Sequence, residues 1–246
     1  MENLLQKESD PKNKKEAVKD LKEVLRTPLD NNHHYVVVRQ DLNQNTLRIF
    51  LESEDGTILE FTDFVREEDG VPKKIGIREQ PGWGANTKNF FIVLTVEELR
   101  DPKNIFTFLH ELGHLQIFPK WKKWGEENPE KKKTVDLWRM TYDVKVSEGA
   151  QINLQEERDA WAAAIHIART IRDTHHVDLF KLFHTKHDFM RWLRIDQLDT
   201  YEREVEELGG LSKGKHEMLN ERIREQWEEE MSDPTLVEDE DFSLAA

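Results

Sequence analysis

Asp101-Pro102-Lys103-Asn104-Ile105-Phe106-Thr107-Phe108-Leu109-His110-Glu111-Leu112-Gly113-His114-Leu115 is the stretch on which the reading of this chain turns. Asp101 offers a side-chain cap, and Pro102 suits a first helical position, where a missing N–H costs nothing. Ile105, Phe106, Phe108, Leu109, Leu112 and Leu115 are the apolar residues of the helix that follows. Residues four apart on a helix are separated by ~40° around the axis and ~6 Å along it. The imidazoles of His110 and His114 therefore face the same way and can grip one zinc ion. Glu111 lies ~100° from His110, placed to address a zinc-bound water without being a ligand. Gly113 removes a side chain beside the ligands, where another backbone can approach.

Composition narrows the chemistry. The 246 residues include no cysteine, so thiol nucleophiles and thiolate metal sites are excluded, and any metal must be held by His, Asp or Glu. There are 50 acidic and 36 basic residues, a net charge of −14. Nine acidic groups and no basic one fall within 225–241, which leaves 36 basic against 41 acidic groups elsewhere. That balance argues against a general nucleic-acid-binding surface. The opening MENLLQKESD has no basic segment followed by an apolar one, and no apolar run approaches ~18–20 residues. The expectation is a soluble cytoplasmic protein with no membrane partner.

A catalytic zinc usually takes three protein ligands plus water. The extended motif with Gly and a third His is rejected, because Ile117 and Lys120 stand at those positions, and no His occurs between 115 and 165. An acidic ligand from a later helix remains. Gln155-Glu156-Glu157-Arg158-Asp159-Ala160-Trp161-Ala162-Ala163-Ala164 opens a helix whose small residues allow close packing against the motif helix. Glu157 is followed on its own face by Ala160 and Ala164, whereas Glu156 is followed by Ala160 and Ala163. Both carboxylates stay open on this pattern, beside the plainer reading of an acidic first turn favoured by the helix dipole.

Around this core the chain reads as strands first, then helices, an α+β order. A helix is expected over 9–26, then extended runs at 35–39, 46–52, 57–65, 73–78 and 89–95. Ser53-Glu54-Asp55-Gly56 is a hairpin signal. Residues 118–133, with Pro119, Gly125 and Pro129, read as irregular. Further helices are expected at about 134–145, 154–174, 177–194, 196–208 and 214–231. We expect one domain over 1–231, its β-rich part at about 33–95 and its helical part at about 101–231, with a disordered acidic tail over 232–246. The last three residues, Leu244-Ala245-Ala246, resemble the end of the bacterial ribosome-rescue tag, although a solubilising tail is the plainer reading. His166 falls on nearly the opposite helix face from Glu157 and reads as packing or surface. Lys120, Lys122, Lys123, Lys131, Lys132 and Lys133 read as a solvated loop, with guidance of an acidic substrate as the sharper alternative. Tyr142 is a minor candidate for stabilising an oxyanion.

Phe106-Thr107-Phe108-Leu109-His110-Glu111-Leu112-Gly113-His114, with Glu157-Arg158-Asp159-Ala160-Trp161-Ala162-Ala163-Ala164 some forty residues on, resembles the ImmA/IrrE group of zinc metallopeptidases. That group pairs a Thr-x-x-His-Glu-x-x-His helix with a later Glu-x-x-Ala helix whose Glu is the third zinc ligand. The resemblance spans roughly residues 89–170; Trp161 and Ala163 stand where Asn and Phe are common. It implies a mostly antiparallel small sheet followed by a zincin-like helical region, with His110, His114 and Glu157 as ligands of Zn2+ and Glu111 as general base. It further implies hydrolysis of peptide bonds in a cytoplasmic regulatory protein such as a transcriptional repressor. No helix-turn-helix is evident, so nucleic acid is not an expected direct partner. The competing class is a zinc-stabilised sensor or interaction protein without turnover. Glu111 favours the enzyme, since a purely structural site has no use for a base.

Overall fold

Extended strands make up the first part of the chain. In the computed structural model, which describes residues 21–30, 33–65, 75–141, 147–193 and 197, Leu25 and Thr27 turn inward while Val24 and Arg26 stay exposed. Strands β1 (Lys22–Asp30), β2 (His34–Asp41), β3 (Thr46–Ser53), β4 (Ile58–Glu60), β5 (Gly76–Glu79), β6 (Gly84–Asn86) and β7 (Phe91–Leu94) form one seven-stranded sheet. Its order is β1-β2-β3-β5-β7-β6, with β4 also paired to β3. All ladders are antiparallel except β5–β7. Val36, Val38, Leu47, Ile49, Leu51, Ile77, Ile92 and Leu94 are buried along it. Val37 and Phe50 form a second apolar cluster with Leu21, Tyr35 and Ile58. The guanidinium groups of Arg39 and Arg48 lie 5.3 and 5.1 Å from the Phe50 ring. At the expected hairpin, Gly56 takes φ 85° and its N–H donates to the Ser53 carbonyl at 2.9 Å.

The helix expected over 9–26 is corrected at its end: residues 22–26 belong to strand β1. The spacing of Leu21, Val24 and Leu25 fits a helix, but pairing with β2 makes 22–26 a strand and leaves Val24 exposed. Pro28 is tolerated because β1 is an edge strand, with register irregularities between Glu23 and Leu25 and between Pro28 and Asp30. Residues 9–20 lie outside the described residues. So do Tyr142, the expected helices at 196–208 (apart from residue 197) and 214–231, and the tail 232–246.

Contacts divide the chain into two units, Met1–Phe108 and Leu109–Ala246. The division falls inside helix α1 (Ile105–Glu127). Asp101 caps the short 3-10 turn Pro102–Asn104 that leads into α1, its Oδ1 accepting from the Lys103 N–H at 3.0 Å. Helix α2 spans Pro129–Thr141 and α3 spans Ser147–His175; a 3-10 turn at Leu179–Leu182 precedes α4 (Lys186–Trp192).

The irregular segment expected over 118–133 is a second correction. Helix α1 continues through Pro119 to Glu127, and α2 starts at Pro129. Pro119 removes one backbone hydrogen bond, while Trp121 and Trp124, with ring centroids 5.2 Å apart, pack in the turns beyond it. Asn128 makes the real break. Its N–H and side-chain amide both donate to the Trp124 carbonyl at 2.9 Å, and its own carbonyl accepts from Lys132 at 3.0 Å. The lysines therefore lie on helices rather than in a loop: Lys120 pairs with Asp159 at 3.0 Å and Lys133 with Glu130 at 2.7 Å.

Candidate metal centre

Helix α1 presents His110, Glu111 and His114 from two successive turns, and helix α3 presents Glu157. Gly113 lets the two backbones meet: a Cβ built on it would sit 2.2 Å from the Ala160 carbonyl oxygen. The neighbouring backbone for which that glycine makes room is therefore α3, one turn beyond Glu157. Ala160 and Ala164 are fully buried on the same face as Glu157.

Three donor atoms converge. His110 Nε2 and Glu157 Oε2 are 3.1 Å apart, His114 Nε2 and His110 Nε2 are 3.1 Å apart, and His114 Nε2 and Glu157 Oε2 are 3.2 Å apart. Ligand atoms of a tetrahedral zinc at ~2.0–2.2 Å stand about 3.3 Å from one another. The near-equilateral triangle thus fits a single ion on its axis and leaves the fourth position for a water or substrate. The donor set, two neutral imidazoles and a carboxylate, suits zinc by its chemistry. His110, His114 and Glu157 are the one metal-competent group of three or more His, Asp or Glu side chains among the described residues.

The charges tell the same story. Burial pushes the Glu111 carboxyl up to about 7; the His114 charge opposes this and the Glu157 carboxylate reinforces it. Burial, with the His114 charge, pushes His110 down to about 4 against the pull of Glu157. Burial also works against a charge on His114, but the Glu157 hydrogen bond and the charges of Glu157, Glu111 and Glu156 carry it up to about 9. For Glu157, burial opposes the charged form, and its hydrogen bonds to His110 and His114 overcome that and hold the carboxyl far below the usual range. Without metal, His114 carries the proton and His110 is neutral, beside an ionised Glu157. A divalent cation bound there would replace that proton.

The pattern left Glu156 and Glu157 as alternatives, and the structure separates them. Glu156 Oε2 accepts from Arg139 Nη2 at 2.7 Å, and Asp159 is held by Lys120, Gln155 and Arg158. Only Glu157 of this acidic run reaches the histidines. His166 is exposed on α3, away from the cluster. One neighbour escaped the sequence reading. Trp161 lies flat on the His110 ring, centroids 4.4 Å apart and planes 25° apart. Its place one turn after Glu157, on the same buried face, is the signal that would have found it.

A His-Glu-x-x-His helix completed by a carboxylate from a second helix is the gluzincin arrangement, and the protein carries that zinc-peptidase site. No protein-family model matches the chain, and no curated protein or solved structure matches it. Among the described residues no helix is long and apolar enough to cross a membrane.

Proposed function

We propose that this zinc metallopeptidase cuts a cytoplasmic regulatory protein, such as a transcriptional repressor, in the manner of the ImmA/IrrE peptidases its motifs resemble. The observation that carries the peptidase reading is the convergence of His110, His114 and Glu157 beside Glu111. When bound, zinc supplies Lewis acidity, acidifying a water and polarising a peptide carbonyl. His110 and His114 would hold it through Nε2, and Glu157 through Oε2, with Glu157 also lowering the net charge of the site.

Glu111 does the proton work. Burial pushes its carboxyl up in the metal-free site; with the ion bound, it would take a proton from the attacking water and return it to the leaving amine. It stands outside the ligand triangle of His110, His114 and Glu157. The test is cleavage of host proteins by wild type and by Glu111→Gln, compared by mapping new protein termini. Fragments that arise with wild type alone, from a regulatory protein, are the expected result. Equal inertness of both forms towards every host protein favours the zinc-stabilised sensor instead.

A further inference from the structure

A ligand imidazole has a second nitrogen, and metal-binding histidines generally donate from it to a carboxylate or carbonyl, which fixes the plane of the ring. His110 Nδ1 is buried and has no hydrogen-bond partner among the described residues. What meets the ring is the indole of Trp161, stacked at 4.4 Å and 25°, while the His114 ring closes on it edge-on at 4.5 Å and 76°. Trp161 is 1% exposed and follows Glu157 by one turn on α3, so the helix that brings the third ligand also brings the flat surface. The indole is itself held. Trp192 of α4 meets it edge-on at 6.0 Å and 89°, and Trp192 packs in turn on Phe183 at 5.3 Å and Phe189 at 6.3 Å.

We propose that Trp161 is a positioning residue of the metal centre, setting the tilt of the His110 ring in place of the hydrogen bond that Nδ1 lacks among the described residues. A planar neighbour at stacking distance blocks rotation of the imidazole out of its plane. In-plane rotation is restrained at Nε2 by the other ligands. An aliphatic side chain of similar bulk fills the space but leaves the tilt free, because it offers no flat face. This inference rests on the zinc-site reading and adds to it the means by which one ligand is aimed.

The experiment compares wild type, Trp161→Phe and Trp161→Met as full-length protein. Zinc affinity is measured by competition with a chromophoric chelator, geometry by the ligand-field spectrum of the Co2+ form, and folding by unfolding of the metal-free form. The Phe variant, which keeps a ring, should bind zinc within about threefold of wild type with an unchanged Co2+ spectrum. The Met variant should bind about 10–100-fold more weakly, the range typical of lost outer-shell support, with a shifted Co2+ spectrum and a metal-free stability matching the Phe variant. Met binding within threefold of wild type, or equal losses in both variants, overturns the proposal. Should the Met variant not fold, the zinc-induced change in tryptophan emission decides: it is expected in wild type and lost in Trp161→Phe. Its persistence at full size in Trp161→Phe overturns the proposal as well. A wild type that binds no zinc brings down the parent reading, whereas normal wild-type binding with an indifferent Met variant brings down this inference alone.

Discussion

Replacing Gly113 by alanine should damage the site far more than it damages the fold. The added Cβ would lie 2.2 Å from the Ala160 carbonyl oxygen, 3.0 Å from its carbon and 3.3 Å from the Ala160 Cα. A comfortable carbon–oxygen approach is about 3.3 Å, so α3 must retreat from α1 by about 1 Å. Alanine offsets part of the cost, because it favours a helix over glycine by about 1 kcal/mol. Overpacking costs about 1–3 kcal/mol, so the net loss of stability should be no more than about 2 kcal/mol. The site has much less tolerance. Glu157 rides on the displaced helix, and ligand distances hold only within about 0.2 Å. A 1 Å retreat opens the 3.1–3.2 Å triangle, and zinc affinity should fall about 100-fold or more, on the scale of a misplaced reacting group. Chelator competition and thermal unfolding of the metal-free form measure the two quantities separately. Gly125→Ala on the same helix is the control, since its Cβ would meet only the flexible Lys132 side chain, at 3.0 Å. It should leave zinc binding unchanged. Wild-type zinc affinity in Gly113→Ala would refute the claim that this glycine sets the distance between the ligand-bearing helices.

Glu157→Ala should lose zinc affinity by more than about 100-fold, since a ligand outweighs an outer-shell partner, whereas Glu156→Ala should bind as wild type does; chelator competition on both variants checks the pair. Glu111→Gln should keep its zinc and lose at least about 10²-fold in turnover, the usual scale for a general base, as read by metal analysis and by cleavage of any substrate that wild type cuts. Zinc binding should weaken as pH falls: the charges around His114 carry it up to about 9 in the metal-free protein, so at pH 7–8 each ion should displace about one proton, and affinity should drop about tenfold per unit. Calorimetry in two buffers of different ionisation heat measures that proton, and zero release would contradict a protonated His114 in the metal-free protein. Gly149→Ala, whose Cβ would meet the Thr134 carbonyl oxygen at 2.4 Å, should destabilise the packing of α2 on α3 by about 1–3 kcal/mol, seen as an earlier thermal transition of the metal-free form.

The parts of the site that were legible in the sequence are those set by local geometry. The separation of His110 and His114 on one helix follows from its pitch, and the capped start at Asp101 from the residue type. The choice between Glu156 and Glu157 was not local. Ala160 lies on the face of both, and the difference comes from Arg139, a residue of another helix that claims Glu156. Trp161 went unread for a related reason: an aromatic on an apolar face signals packing, and only the crossing of α1 and α3 shows that the packing partner is a ligand. In the fold, β1 was hidden because Leu21, Val24 and Leu25 fit a helix until β2 supplies a ladder. The three-residue β6 has no pattern of its own and exists by pairing with β7. Pro119 reads as a stop, yet α1 passes through it to Glu127, and Asn128 ends the helix instead.

X-ray absorption at the zinc edge of the purified full-length protein bears most directly on the central claim. One ion per chain, with two imidazoles and light oxygen donors at about 2.0–2.2 Å, is the predicted result, and the signal should vanish in His110→Ala/His114→Ala. Stoichiometric zinc in that double variant, or a first shell without imidazole in wild type, would contradict the assignment of His110, His114 and Glu157 as the metal site.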